Sequence, residues 1–441
     1  MPDWWKQYND PALNRDIACA FENSPDLQII AARLEQADAK VKIAKTAAWP
    51  AFNLGYGFRF GRTKEVDFGP YNLAPWTGNA NLKWELDIFH KLKRARESAE
   101  FNRRAVFWDH AAARLVLASR IAESRFRIYR LKKEIDVLEE STSANSDILV
   151  ILRQREKAGL IAETEVHRMV AEDEKLKRTK EELNRLQLLA EVELETLKGG
   201  QNRECDISGS LPGLPPIPCR SFDSLVCYHP SLLAAESRLR AAYRIEESAR
   251  LNLLPSFTLQ GNLSGASPHF FLDQFKRWHR EIGPVLDIPV FDPARRADLA
   301  TKRGETNEAA AEFRAALIDV IGEIDSAYVN LASRDKQIKS VRREVEALRK
   351  ARHFVTANFQ SGIVSQVEVL ESERSYLQTS RIKAALEEAV LQDHIMLIRA
   401  LGGGLSECEA LPVITAEPVI KPTPIESLLT VKHPGKKLLH R

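Results

Sequence analysis

Residues 52–60, FNLGYGFRF, alternate without a slip: Phe52, Leu54, Tyr56, Phe58 and Phe60 fall on one face, and Asn53, Gly55, Gly57 and Arg59 on the other. A period of two predicts a strand with unlike sides. WTGNANLKWELDIF repeats the pattern, setting Trp76, Ala80, Leu82, Trp84, Leu86 and Ile88 against Thr77, Asn79, Asn81, Lys83, Glu85 and Asp87. A second pair follows later, with Phe257, Leu259 and Leu263 against Thr258, Gln260, Asn262 and Ser264, then Ile282, Leu286, Ile288 and Val290 around Glu281 and Asp287. Such strands fit a sheet roofed by helices on one side. They fit equally a sheet with lipid on one side and water on the other, because each is about the ten residues that cross hydrocarbon at a tilt. Open sheet edges are not tolerated in lipid, so four strands would need further copies to close a barrel.

From about Lys91 to Lys157 there is neither proline nor glycine. At 1.5 Å per residue this is about 100 Å of helix. Its apolar seam runs in heptads: Leu117, Ile121, Ser124, Ile128, Leu131, Ile135, Leu138, Thr142, Asn145, Leu149, Leu152. A coiled coil is the expected outcome. The polar seam members fit either register control or a water-filled bore. Glycine at 159 turns the chain, a return helix covers about 163–198, and Gly199 ends it.

The whole phrase is written twice. At an offset of 205, Pro25, Leu27, Arg33, Leu34, Ala37, Ala44, Pro50, Phe52 and Leu54 fall on identical residues from Pro230 to Leu259. At an offset of 203, KAGLIAETEV matches QSGIVSQVEV, and the seam recurs as Val320, Ile324, Ala327, Leu331, Arg334, Ile338 and onward to Val355. Each copy therefore reads helix, strand pair, long helical hairpin. The expected divisions are 1–50 for N-terminal helices, 51–90 for the first strand pair, 91–200 for the first hairpin and 201–229 for a linker. The second copy gives 230–255, 256–291 and 292–404, and a Pro-rich tail at 405–441 is expected to be disordered.

Composition narrows the chemistry. A net charge of +3 argues against nucleic acid, and the 64 basic and 61 acidic residues interleave as on solvated helix faces. The five cysteines show no ligand spacing, so no metal is expected; one disulfide among Cys205, Cys219 and Cys227 or free thiols would both fit. LGGG at Leu401 lacks a phosphate-loop lysine and follows a helix, so it reads as a cap. His229 reads as capping the helix that starts at Pro230. No catalytic residue or cofactor motif emerges, and no enzyme is expected. There is no run of 18 apolar residues, and MPDWWKQYND does not read as a signal peptide.

The segments DWWKQYNDPAL, WELDIF, KAGLIAETEV, LLPSFTLQG, IPVFDPARRADL, SGIVSQVEVLESE and LIRALGGG, in this order, resemble TolC-family outer membrane efflux proteins, in particular the NodT-type factors that serve resistance–nodulation–division pumps. The resemblance implies a homotrimer: twelve strands closing a β-barrel in outer membrane lipid, and twelve long helices forming a periplasmic α-barrel. The fold class is thus mainly α with a small β part, internally duplicated. The implied function is passive efflux of drugs, toxic compounds or metals, with a membrane fusion adaptor and an inner-membrane pump as partners. It places the adaptor on the hairpin tips, Ala158, Gly159 and Leu160 with Ser361, Gly362 and Ile363. It also implies a ring of entrance carboxylates from Glu368 and Glu371, with Glu165 as the first-copy equivalent. Val364 and Phe359 stand where better-known members carry an arginine and a tyrosine, so a polar latch at the entrance is not implied. The family's signal peptide and lipid-bearing cysteine are not present ahead of Trp4. A type I exit duct for proteins and a soluble coiled-coil scaffold are the alternative readings.

Overall fold

The computed structural model of the chain describes residues 3–58, 62–65, 69–72, 76–200, 209–216, 228–267 and 277–403. Helices α1 (Pro11–Asn23) and α2 (Pro25–Thr46) lead into strands β1 (Ala51–Phe58), β2 (Arg62–Glu65), β3 (Gly69–Asn72) and β4 (Trp76–Leu86). Helix α3 (Lys91–Lys157) and its return α4 (Glu163–Leu197) form the first hairpin. The second copy is α5 (Pro230–Leu251), β5 (Ser256–Ser267), β6 (Arg277–Asp287), α6 (Pro293–Gln360) and α7 (Gln366–Ala400). The two long helices have 67 and 68 residues. The linker cysteines, Phe60 and the tail after 404 lie outside the described residues.

The coiled-coil seam is real. Leu117, Ile121, Ile128, Leu131, Leu138 and Leu152 are buried, as are Val320, Ile324, Ala327, Leu331 and Ile338. Of its polar members, Ser124 donates to the Ala190 carbonyl at 3.2 Å, and Arg334 pairs with Asp393 at 2.9 Å. The amide of Asn145 is buried with no partner among the described residues.

Charge is not confined to solvated faces, contrary to the sequence expectation. Arg125 is 2% exposed, and Glu134, Glu172 and Glu388 are also buried. Helix pairs packed on more than one side leave no dry place for a charge except against its opposite.

The N-terminal segment shows this best. Trp4, Trp5 and Tyr8 form a single turn of 3-10 helix, and Tyr8 packs edge-on to Phe126 with ring centroids 5.1 Å apart. Asp10 caps α1 by accepting from the Ala12 and Leu13 amides at 2.9 and 3.1 Å. Its other oxygen accepts from Tyr129 Oη at 2.8 Å and Arg125 Nε at 3.3 Å. Arg125 also pairs with Asp16, which is reached by Lys198 at 3.4 Å. Removing the guanidinium takes the shared cation from two nearly buried carboxylates, leaving Asp10 to Tyr129 and the cap amides and Asp16 to Lys198, so Arg125→Met is expected to destabilise the fold by about 3 kcal/mol. Thermal unfolding and proteolysis of residues 3–24 would register it.

Two buried histidines set an acid limit. His394 is fully buried, its Nδ1 shares a hydrogen bond with Tyr8 Oη across 2.7 Å, and the Pro216 backbone lies against its ring. Burial lowers its pKa, and burial lowers that of His229 to about 4. The unfolded imidazole, near 6.5, binds protons that the folded one refuses. Stability is therefore complete above about pH 6.5 and falls as the pH drops toward 4, by roughly 3 kcal/mol for His229. Urea midpoints are expected to fall from pH 7 to 4.5, and His229→Asn to flatten that slope.

Candidate channel surfaces

The strand pairs join into one antiparallel sheet of order β1-β4-β5-β6, and β2 pairs separately with β3. The register sorts side chains into rows. Phe52 lies opposite Leu82, Leu82 opposite Gly261, and Gly261 opposite Ile282. Trp84 lies opposite Leu259, and Leu86 and Leu286 flank Phe257. The alternate row is Asn53, Asn81, Asn262 and Glu281, and the next is Gly55, Asn79, Ser264 and His279. Cross-strand partners share a face. One side of the sheet is thus apolar over four strands and the other polar.

Among the described residues, no helix roofs the apolar side. Leu54 is 76% exposed and Ile282 72%, and Phe52, Phe58 and Leu286 are exposed as well. Arg280, paired with Leu263, departs from the apolar rows. Below the sheet, Trp49, Val290 and Phe291 continue the exposed apolar surface. Strands β1 and β6 each keep one free edge among the described residues. Pro284, which cannot donate to a ladder, sits in β6 at such an edge.

The handover from strand to helix is built from aspartates. Asp87 accepts from the Leu92 and Lys93 amides at 2.9 and 2.8 Å, at the start of α3. Asp292 accepts from the Arg295 amide at 3.1 Å at the start of α6. Arg295 returns to Asp287 at 2.6 Å, and Lys91 to Glu85 at 2.5 Å. Asp87 and Asp292 satisfy orphan helix amides and favour the positive helix end. They stand inside the segments WELDIF and IPVFDPARRADL, whose capping content the residue pattern alone did not single out. Trp84 Nε1 donates to the Ala48 carbonyl at 3.0 Å, tying α2 to the sheet.

The opposite end holds the hairpin tips. Gly159 and Gly362 take positive φ, 71° and 77°. Leu160 N–H bonds Arg155 O and Gly159 N–H bonds Glu156 O, at 2.9 and 2.8 Å; Ile363 and Gly362 repeat this with Asn358 and Phe359. Both are Schellman turns, whose left-handed residue favours glycine. In that motif the residue after glycine packs back on the last turn. Here the last turn offers Arg155 and Asn358, and Leu160 and Ile363 are each 74% exposed. Ala158 and Ser361 are exposed too. Gly199 and Gly402 close the return helices the same way.

Glu368 and Glu371 are exposed on the first turns of α7, where Ser365 Oγ lies 3.4 Å from Glu368 Oε1. Glu165 is half-buried at the start of α4, and its carbonyl accepts from Gln366 Nε2 at 2.9 Å. The starts of α4 and α7 are therefore adjacent, which brings the first-copy and second-copy carboxylate positions to one end. His229 is a cap by position only: its side chain makes no capping bond, because the ring is buried against the Arg399 backbone. Among the described residues no group of His, Cys, Asp and Glu could hold a metal, and no helix is long and apolar enough to cross a membrane.

Comparison with known proteins follows the same division. The outer membrane efflux protein family profile matches residues 17–200 and again 223–403, the two copies. The pyoverdine export outer membrane protein OpmQ of Pseudomonas putida is 27% identical over 422 residues, spanning 92% of this chain and 89% of the relative. The probable outer membrane lipoprotein SilC of Salmonella typhimurium is 24% identical, over 92% and 88%. The solved outer-membrane channel OprN superposes with a TM-score of 0.83 at 22% identity, covering 91% of this chain and 92% of that one.

Proposed function

We propose, on the premise that this chain belongs to the outer membrane efflux protein family, that three copies close into one channel and that its helical tips receive a periplasmic adaptor. The chain is an outer membrane efflux protein, the outer component of a multi-component pump. The observation that carries the trimer is the sheet with an exposed apolar face and free edges on β1 and β6. In hydrocarbon those edges must find partners, and β1 of one copy can pair only with β6 of the next. The helices agree with this side-to-side contact. Leu188 and Val192 on α4 are exposed on one flank, and Ile318 and Val329 on α6 on the other. A head-to-tail contact of unlike flanks closes into a ring. Three chains give twelve strands, and their polar rows would line a wet lumen.

In the closed ring, Glu368 and Glu371 bring six carboxylates to the tunnel mouth, with Glu165 near them. A narrow mouth of that charge attracts cations. The tips, with Leu160 and Ile363 unclaimed by their own turns, suit a partner's apolar side chains. The inner-membrane pump supplies the energy, and the duct conducts small molecules passively.

The test is a planar bilayer recording on the detergent-purified protein. The expected particle holds three copies of the 49.8 kDa chain and conducts with cation preference. Glu368→Gln with Glu371→Gln is expected to reduce that preference several-fold without changing the oligomer. A monomer that dissolves without detergent would defeat the reading.

A further inference from the structure

Arg280 interrupts the apolar side of the sheet. Its row runs Leu54, Ala80, Leu263, Arg280 across β1, β4, β5 and β6. Leu54 is exposed, as is Ile282 two residues down β6, and Arg280 is exposed with them. A guanidinium on a face that meets hydrocarbon is costly near the midplane and nearly free at the border. Its height therefore decides what it can do.

The register supplies the height. β6 ends toward the helices at Asp287, and Arg280 lies seven residues above it. At about 3.3 Å per residue and a tilt of about 40°, that is about 18 Å. Val290 and Phe291 carry the exposed apolar surface below Asp287, so a band about 25 Å tall that starts among them ends close to Arg280. The stagger of the strands agrees. β1 begins at Ala51, in the row that meets β6 at Gly283, four residues above Asp287. With the helix-side ends level, the rows climb toward β6, and Arg280 is the highest member of its own. A side chain of that length reaches the outer water border from there.

The two borders differ in how charge is met. On the helix side, Asp287 pairs with Arg295 at 2.6 Å and Glu85 with Lys91 at 2.5 Å, all within the chain. On the outer side, the acid nearest in sequence, Glu281, stands on the other face, 2.9 Å from His279 Nε2. Among the described residues no carboxylate pairs with Arg280. A cation held at the outer border without an acid of its own suits an anion supplied by the membrane. The glycolipid that fills the outer leaflet of an outer membrane carries phosphate on its sugars. A guanidinium offers phosphate two parallel donors, where an ammonium offers a point charge.

We propose that Arg280 binds the phosphate of an outer-leaflet glycolipid, once on each chain. The site rests on the lipid-facing sheet proposed above. A charge whose task was only to keep the β6 edge from stray pairing would serve equally in any lipid.

Lipid retention separates these roles. The purified chain is placed in phosphatidylcholine vesicles holding a minor share of bisphosphorylated lipid A, of the same lipid stripped of its phosphates, or of phosphatidylglycerol. It is re-extracted in mild detergent, and the test lipid retained per chain is measured. Phosphorylated lipid A is expected in about fivefold excess over the stripped form, and Arg280→Gln is expected to remove that excess. Arg280→Lys, which keeps the charge but not the fork, is expected to keep part of it. The side chain is exposed and pairs with no carboxylate among the described residues, so both variants are expected to fold as the parent does. Equal retention of both forms by the parent, or an excess that survives Arg280→Gln, would overturn the site. Phosphatidylglycerol retained as strongly as lipid A would overturn the glycolipid as its occupant. A parent chain that stays out of every vesicle contradicts the lipid-facing sheet and takes the site with it. One that enters all vesicles alike, without the excess, removes the site alone.

Discussion

Leu54→Lys with Ile282→Lys is expected to abolish insertion into the outer membrane, whereas Asn53→Lys with Asn262→Lys should insert normally. The two pairs are neighbours on the same strands or their partners and differ only in face. A lysine meeting hydrocarbon near its midplane costs about 2–4 kcal/mol, and three chains would carry six of them. The same charge on the polar rows joins Lys83 and Glu281 in water. Fractionation of membranes, with the oligomer followed by gel mobility before and after heating, reads the outcome. Equal loss in both pairs would mean that the faces are not unlike.

The second large effect concerns the tips. Leu160→Asp with Ile363→Asp is expected to reduce efflux to the level of cells without the channel, while trimer and bilayer conductance survive. The Schellman turns do not use these side chains, so the backbone loses nothing. A partner's apolar contact would lose about 1.5–3 kcal/mol for each side chain no longer buried. Susceptibility of cells to a pump substrate is the readout. If efflux persists, the tips are not the docking surface.

Much of this molecule is legible in its sequence because its strongest signals are periodic. The alternation at 52–58 survives as an exposed apolar row because none of the described residues covers it, and the heptads at Leu117–Leu152 survive because α3 has a helix against that seam. The glycines at 159, 199, 362 and 402 mark turns that demand positive φ. The N-terminal segment was opaque for the opposite reason. Its partners Arg125, Tyr129 and Phe126 lie on a stripe of α3 outside the heptad seam, more than a hundred residues away. The buried charges of the hairpins were hidden likewise. Glu134 or Glu388, taken singly, looks like any charge on a solvated helix, and only the packing shows which are covered. The tip residues and carboxylates came from family likeness; geometry adds the exposed Leu160 and Ile363 and sets the starts of α4 and α7 together.

The central claim is that β1, β4, β5 and β6 have lipid on one side and water on the other. Single cysteines at 51–58, spin-labelled in the reconstituted protein, test it most directly through collision with oxygen, which dissolves in lipid, and with a water-soluble nickel chelate. The account predicts that 52, 54, 56 and 58 favour oxygen while 51, 53, 55 and 57 favour nickel. Equal access of both agents along the whole strand, or alternation of the opposite phase, would contradict it.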